Sequence, residues 1–136
     1  MKKFLQDKLF LAVMLFALTT ANAQTGAKLS FISVKGNKFM TAEGKVIVFR
    51  GLDASDPDKL SKDGHWNKEY FEMAKSWGAN IIRFPVHPVP WRDRGKEEYI
   101  KLLDLGVQWA TEVGLYVIID WHSIGNLRTE MYQRPM

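Results

Sequence analysis

The sequence predicts an α/β fold built around parallel strands, and two segments of the same format carry that prediction. Residues 80–87 and 116–122 each begin as an apolar run and end abruptly in polar and aromatic side chains. A helix-length amphipathic segment lies between them. Such runs are typical of parallel strands that are buried on both faces and whose carboxyl ends open into a site. We therefore expect the chemistry of this protein at the carboxyl ends of these strands.

The N-terminal elements are predicted to be a hairpin and a first buried strand. Residues 39–42 and 46–49 flank the turn at residues 43–45, which indicates two antiparallel arms. The second arm continues through residues 46–52, an apolar and β-branched segment suited to a buried strand. The polar stretch 53–64 is predicted to be a loop, and at about a dozen residues it is long for a connection from strand to helix.

The first helix is predicted to begin at residues 65–67 and to end at Gly78. It carries large apolar side chains at helical spacing: Trp66, Tyr70, Met73, Ala74 and Trp77. Of the tryptophans in helical segments, Trp66, Trp77 and Trp109 are predicted to lie in the core. Residues 81–86 form the second strand, and Pro85 and Pro88 are predicted to end its regular pairing because proline has no N–H to donate to a neighbouring strand.

A loop containing residues 91–95 leads to a longer helix over residues 96–113. Its inner stripe is predicted to comprise Ile100, Leu103, Val107 and Ala110. Gly106 costs about 1 kcal/mol relative to alanine inside a helix, which indicates close packing at this position. The third strand follows at residues 116–120.

The order of these elements favours part of a barrel. Strand starts repeat at about 35 residues, the length of a βα unit, and right-handed units of this kind give a parallel sheet. A doubly wound open sheet and a (β/α)8 barrel both fit. A dinucleotide-binding open sheet would have a glycine-rich first turn, whereas residues 51–56 contain one glycine. A barrel needs eight strands and about 250 residues. We therefore predict the N-terminal portion of a (β/α)8 TIM barrel: a hairpin that closes its bottom, the first three strands and two helices.

Residues 1–23 have the form of a secretory signal peptide. Three lysines and one aspartate precede or flank the apolar run 9–18, and Ala21-Asn22-Ala23 has the small-x-small form of a cleavage site. The run is well short of the roughly 18–20 residues that span a bilayer. We expect a secreted or periplasmic chain without a membrane attachment, in which residues 24–136 form a partial barrel domain truncated after strand three.

Composition argues against several classes of function. The chain has no cysteine, which excludes a disulfide framework, a zinc thiolate site and a cysteine nucleophile. Of the formal net charge of +4, the signal segment carries +2 and residues 24–136 the other +2. Basic residues in the second part are interspersed with acids, so nucleic-acid binding has no support.

Arg83, Asp120 and His122 are the leading candidates for a functional site. A guanidinium in an otherwise apolar strand needs carboxylate or carbonyl partners, either as a structural ion pair or to orient a catalytic carboxylate. Strand alternation sends Asp120 and His122 to one face and Trp121 to the other. His122 is either satisfied by neighbouring backbone or part of a site. An Asp-x-His metal site is disfavoured because two ligands are too few.

Further candidates lie on the same rim. His87 follows the second strand beside two prolines, and Trp91 and Trp121 can offer an indole face to a sugar ring. Retaining glycoside hydrolysis needs two carboxylates about 5–5.5 Å apart. No good pair is visible, because Glu72 and Glu112 lie on predicted helices and Glu130 has no evident partner.

Three collinear segments, residues 49–53, 77–88 and 114–122, resemble the glycoside hydrolase family 5 cellulases, and the resemblance covers roughly residues 30–136. It implies a (β/α)8 barrel that hydrolyses β-1,4-linked glucans, mannans and related polysaccharides with retention and without a metal or other cofactor. It also implies that Arg83 contacts the nucleophilic glutamate and that His122 lies near the sugar next to the scissile bond. His87, Trp91, Trp121 and Asp120 are predicted substrate contacts.

The family's acid/base glutamate follows strand four in an Asn-Glu-Pro-like motif, and its nucleophile follows strand seven. The sequence contains no Asn-Glu pair. We therefore expect the N-terminal fragment of a secreted, monomeric, endo-β-1,4-glucanase-like enzyme, inactive by itself because both catalytic glutamates are missing. The alternative is a small secreted α/β protein that binds carbohydrate without cleaving it, through Trp91, Trp121 and the polar rim.

Overall fold

The computed structural model describes residues 29–125, so the predicted signal peptide and Glu130 lie outside the described residues. Three antiparallel strands come first: β1 Ile32–Lys35, β2 Lys38–Thr41 and β3 Val46–Ile47. A parallel sheet follows with the order β4 Gly51–Asp53, β5 Ile81–Val86 and β6 Tyr116–Trp121. The helices are α1 Pro57–Lys62, α2 Lys68–Ser76, α3 Pro88–Arg94 and α4 Lys96–Glu112.

The strand predicted over residues 46–52 is two strands in two different sheets. β3 pairs antiparallel with β2, whereas β4 pairs in parallel with β5. Asn80 holds the junction, since its side-chain amide donates to the Val48 carbonyl at 2.9 Å and accepts from the Arg50 N–H at 2.8 Å. The prediction of one continuous strand was wrong because its halves have different pairing partners, which an apolar run does not reveal.

Two segments predicted as loops contain short helices, so the described residues hold four helices where two were predicted. In α1, the Asp56 side chain caps the first turn by accepting from the Asp58 N–H at 2.8 Å, and Pro57 occupies the first helical position. α3 also begins at a proline, Pro88, and ends at Gly95, whose φ is 86°. Both helices are too short for an apolar period to repeat, which is why the periodicity did not predict them.

The core lies between the parallel sheet and the helices. Its largest fully buried side chains include Phe71, Ile82, Phe84, Tyr99 and Leu115. Trp66 is buried as predicted, and its indole N–H donates to the Leu102 carbonyl at 3.0 Å. Trp109 packs against this core as well.

In both longer helices the buried face differs in part from the predicted one. In α2, Phe71 and Ala74 are buried, whereas Met73 and Trp77 are 55% and 72% exposed, so the placement of Trp77 in the core was wrong. The buried residues of α4 are Tyr99, Leu102, Leu103, Gly106 and Ala110. Leu103 and Ala110 were predicted correctly, Val107 is partly buried, and Ile100 is exposed. In α2 the inward face is the one that carries Phe71, whose ring centroid lies 5.9 Å from that of Phe84 on β5.

Gly106 and Gly51 both mark close approaches. A Cβ atom at Gly106 would lie 2.2 Å from Cζ2 of Trp66, which confirms the prediction of close packing there. At Gly51 it would lie 1.9 Å from the backbone oxygen of Ile81, on the neighbouring strand. Within residues 29–125, no helix is both long enough and apolar enough to cross a membrane.

Candidate active site

The carboxyl ends of the three parallel strands bring Arg83 together with two carboxylates and an imidazole. Arg83 on β5 is the register partner of Asp53 on β4, and its Nη1 lies 3.0 Å from Asp53 Oδ1. Its Nη2 lies 2.5 Å from Asp120 Oδ2, near the end of β6, and 3.0 Å from Nδ1 of His122, which directly follows that strand. The predicted need of Arg83 for carboxylate partners is confirmed, and Asp53 is a partner that sequence reasoning missed.

The four side chains form a charged cluster in which Arg83, Asp120 and His122 are partly buried and Asp53 is exposed. The hydrogen bond to Asp53 and the charge of Asp120 raise the pKa of Arg83, although partial burial opposes them. Burial by itself would raise the pKa of Asp120, but its hydrogen bond with His122 and the charge of Arg83 outweigh burial and lower that pKa. Asp120 is therefore ionised at neutral pH. The guanidinium of Arg83 lies between the carboxylates of Asp53 and Asp120, which hold its orientation.

His122 is oriented by side-chain and backbone contacts. Its Nδ1 lies 2.9 Å from Asp120 Oδ2, and its backbone N–H donates to the Val86 carbonyl at 2.9 Å. The ring of His87 packs edge-on against the ring of His122, with centroids 5.0 Å apart. With its proton on Nδ1, His122 donates to Asp120 and keeps Nε2 as an acceptor for a hydroxyl group.

Asp56 holds His87 in place, and sequence reasoning did not identify it. The Asp56 residue is 5% exposed, and its Oδ2 accepts from the His87 N–H at 2.9 Å. Its Oδ1 accepts from the Asp58 N–H and from the Tyr99 hydroxyl, at 2.8 Å and 2.9 Å. Burial and the neighbouring Asp56 carboxylate raise the pKa of Tyr99, so this phenol remains a donor. The Asp-Pro dipeptide at residues 56–57 was the available signal, because it is typical of a helix start.

Trp91 and Trp121 form an aromatic pair of their own. Their rings are nearly perpendicular with centroids 5.8 Å apart, and Trp91 also packs 5.3 Å from the ring of Tyr99. Trp91 is therefore anchored in the protein, while Trp121 is 38% exposed. The structure thus brings Arg83, Asp120, His122 and His87 together and gives the tryptophans different neighbours.

The arrangement does not resemble a metal centre. Within the described part of the chain, no group of three histidine or carboxylate side chains is placed to hold a metal ion. The space shared by Asp53, Asp120 and His122 is filled by the guanidinium of Arg83. What the cluster can do chemically is orient and ionise a further carboxylate and offer an imidazole to a polar ligand.

Comparison with known proteins identifies the family. A family model described as cellulase (glycosyl hydrolase family 5) matches residues 40–135. The chain belongs to glycosyl hydrolase family 5. It is 29% identical over 114 residues to endoglucanase A of Butyrivibrio fibrisolvens, a match that covers 75% of this chain and 25% of that protein. The family 5 resemblance seen in the sequence is thereby confirmed.

Solved structures establish the fold class. A β-glucanase from Saccharophagus degradans is 49% identical, with a TM-score of 0.72 over 76% of this chain and 31% of the other. Its complex with cellotetraose matches with a TM-score of 0.71. A cellulase at 19% identity matches in fold, with a TM-score of 0.63. Residues 29–125 form the N-terminal portion of a family 5 (β/α)8 barrel, as predicted, and the chain spans only about a quarter to a third of the length of these relatives.

Proposed function

We propose that this chain is the N-terminal part of an exported, retaining glycoside hydrolase that cleaves β-1,4-linked glucan, and that Arg83 and His122 support its catalytic centre. One observation carries the proposal. In a family 5 chain, Arg83, Asp120 and His122 converge at the carboxyl ends of neighbouring parallel strands. This end of a (β/α)8 barrel is where barrel enzymes build their active sites.

Arg83 is proposed to prepare the nucleophile. Retention requires one ionised carboxylate that attacks the anomeric carbon and a second carboxyl group that is protonated at the start. A guanidinium lowers the pKa of a carboxylate beside it and orients its oxygens. Arginine has five N–H donors in a rigid fork, so contacts with Asp53 and Asp120 are compatible with holding a third carboxylate.

His122 and the surrounding rim are proposed to position the sugar. The contact with Asp120 fixes the His122 ring, so one imidazole nitrogen can meet a hydroxyl group. His87 packs beside it, and the exposed part of Trp121, with Trp91 behind it, offers an aromatic face to sugar C–H groups. Asp120 was predicted as a substrate contact, and its contacts with Arg83 and His122 favour a role in positioning these two side chains.

The relatives favour β-glucan as the substrate class over mannan. The curated relative is an endoglucanase, and the solved relative at 49% identity is a β-glucanase that was also crystallised with cellotetraose. The leader supports export to the exterior or periplasm. We propose a monomeric enzyme that needs no cofactor, does not bind nucleic acid and has no membrane attachment after cleavage at residue 23. The 136-residue chain alone is proposed to be inactive, because the acid/base and nucleophilic glutamates of the family follow strands four and seven.

The test begins with the reading frame beyond the codon for Met136. We expect an Asn-Glu-Pro-like motif after a fourth strand and a second glutamate after a seventh. The full-length protein should release reducing ends from soluble β-1,4-glucan faster than from mannan, and proton NMR should detect the β-anomer first. The 136-residue chain is the matched control and should release none. A frame that stops without these glutamates, or a full-length protein that binds glucan without cleaving it, would replace the enzyme by the non-catalytic carbohydrate-binding alternative.

A further inference from the structure

We propose that Asp56 is a positioning residue of this active centre, which fixes His87 and the backbone of His122 relative to Arg83. The inference rests on the proposed glycosidase function for its catalytic consequence. Asp56 does not contact the Arg83 cluster in any described hydrogen bond. It acts through one peptide group at the carboxyl end of β5.

That peptide group lies between Val86 and His87 and is held from both sides. Its N–H donates to Asp56 Oδ2 at 2.9 Å, and its C=O accepts from the His122 N–H at 2.9 Å. A peptide group is planar, so a rotation that moves the N–H also moves the C=O. The orientation of the His87 ring and the position of the His122 backbone therefore depend on the same plane, and Asp56 determines one side of it.

Asp56 is itself rigidly placed by three elements. It belongs to the N-terminus of α1, accepts from the first turn of that helix, and accepts from Tyr99 of α4 and from the start of α3. A nearly buried carboxylate with three donors is fully satisfied and stiff, and loss of one acceptor oxygen leaves a donor unpaired. Asp56 thus fixes the peptide group before His87 relative to helices α1 and α4.

The neighbouring Asp58 provides a matched control. It is 2% exposed, lies two residues further along and is ion-paired with Arg94 Nε at 2.6 Å and Lys62 Nζ at 2.7 Å. Its contacts tie α1 to α3, and its side chain makes no described hydrogen bond with His87. Asp56→Asn and Asp58→Asn therefore remove equally buried charges, and only the first touches the peptide group between β5 and α3.

The experiment compares the two variants in the full-length protein. In Asp56→Asn, either orientation of the amide turns its NH2 group toward a backbone N–H, that of Asp58 or that of His87. We expect kcat/KM on soluble β-1,4-glucan to fall by roughly 10- to 100-fold, since small misplacements at a catalytic centre have effects of this size. Asp58→Asn should lower the melting temperature with kcat/KM near that of the wild type.

A structural readout that does not require activity uses histidine labelled with ¹³C at Cε1, with signals assigned from His87→Gln and His122→Gln. Asp56→Asn should shift the ring signals of His87 and His122, whereas Asp58→Asn should leave both in place. Unchanged signals in Asp56→Asn, or equal changes in both variants, would overturn the proposal.

If the wild type cleaves no glycan, the proposed function fails while the NMR comparison still decides the role of Asp56. If Asp56→Asn does not fold, Tyr99→Phe, which removes one donor, should shift the same two signals less, and no shift would refute the idea.

Discussion

The chemistry of single residues in this domain centres on Arg83. A guanidinium in an otherwise apolar strand is unfavourable unless carboxylates compensate its charge, and here each neighbouring strand supplies one, Asp53 and Asp120. The outcome is a cation whose orientation is set by two contacts rather than by side-chain rotamer preference. Arginine is suited to this role because its planar fork reaches several oxygens at once, which a lysine ammonium does not.

Replacing Arg83 by lysine should therefore impair catalysis more than folding. The compact ammonium of lysine cannot contact both Asp53 and Asp120 while it also contacts a nucleophile. We expect kcat of the full-length Arg83→Lys protein on β-1,4-glucan to fall by roughly 10²-fold, the usual scale for loss of one preorganised donor. Steady-state kinetics with circular dichroism as a check on folding would measure this. Arg94→Lys, which alters the pair with Asp58 away from the cluster, is the control, and equal activity of both variants would contradict the role of Arg83.

A second prediction at this scale concerns Asp58 and pH. Burial would raise the pKa of Asp58, but its hydrogen bonds with Lys62 and Arg94 outweigh burial and lower that pKa below the ordinary value of 3.8. A lowered folded-state pKa stabilises the protein above the unfolded-state value, and that contribution is lost as the pH falls through the folded-state pKa. Asp58→Asn should reduce the free energy of unfolding by about 1.5–3 kcal/mol at neutral pH.

Urea unfolding of the full-length wild-type and Asp58→Asn proteins, at neutral pH and in steps below about pH 4, would follow this difference. The gap between the two proteins should narrow on acidification, because the wild-type carboxylate then becomes protonated. A gap that stays constant or widens in acid would show that the ion pairs of Asp58 do not stabilise the fold.

Among the elements, α4 packs closely against the core at Gly106. Gly106 faces the indole of Trp66 and the ring of Phe84, and Trp66 in turn donates to the backbone of α4 at Leu102. Edge-to-face contacts join Trp66 to both Phe71 and Phe84. Trp66 therefore fills the space between Gly106 of α4, Phe71 of α2 and Phe84 of β5.

Gly106→Ala should destabilise the domain although alanine is the better helix former. The new Cβ would lie 2.2 Å and 2.9 Å from Cζ2 and Cη2 of Trp66, so the indole must move. For an approach of 2.2 Å to a buried indole we expect the upper part of the overpacking cost of about 1–3 kcal/mol, which exceeds the gain of about 1 kcal/mol in helix propensity. Thermal or urea unfolding of the full-length protein would measure the difference. Asp104→Ala on the exposed side of α4 is the control, and a Gly106→Ala protein as stable as this control would refute the packing argument.

At the scale of the whole molecule, the described residues expose apolar side chains and two unpaired strand edges. β4 and β6 are the outer strands of the described parallel sheet, so each has an edge without a strand beside it within residues 29–125. Ile118 and Ile119 of β6 are 47% and 53% exposed, and Phe31 beside the hairpin is 90% exposed. Exposed strand edges and apolar patches of this kind promote association between chains.

The 136-residue chain by itself should therefore lack a sharp cooperative melt and should bind a hydrophobic dye such as anilinonaphthalene sulfonate. The full-length protein should melt cooperatively and bind little dye, because further barrel strands would cover these surfaces. Differential scanning calorimetry and dye fluorescence of both proteins would measure this. A sharp two-state melt of the short chain would favour the alternative of a complete carbohydrate-binding protein.

Local information in the sequence was sufficient for the main elements of the fold. The second strand at residues 81–86, the third strand at residues 116–120 and the two longer helices follow from apolar runs, helical spacing and glycine stops, all of which act over a few residues. The grouping of Arg83, Asp120 and His122 was also predictable, because parallel strands place their carboxyl ends at one edge and alternation puts Asp120 and His122 on one face.

Tertiary structure decided what depends on partners distant in the chain. The pairing of β4 with β5, the Asp53 contact and the hydrogen bonds of Asp56 all depend on partners about 30 or more residues away. The inward face of α2, which leaves Trp77 exposed, packs Phe71 against Phe84 and Trp109. Such contacts produce no periodic pattern in the sequence. The Asp56-Pro57 dipeptide indicates a helix start, but nothing near it in the chain indicates its hydrogen bonds with His87 and Tyr99. The sequence by itself determined which side chains reach the carboxyl edge of the sheet, and only packing decided which neighbours hold them there.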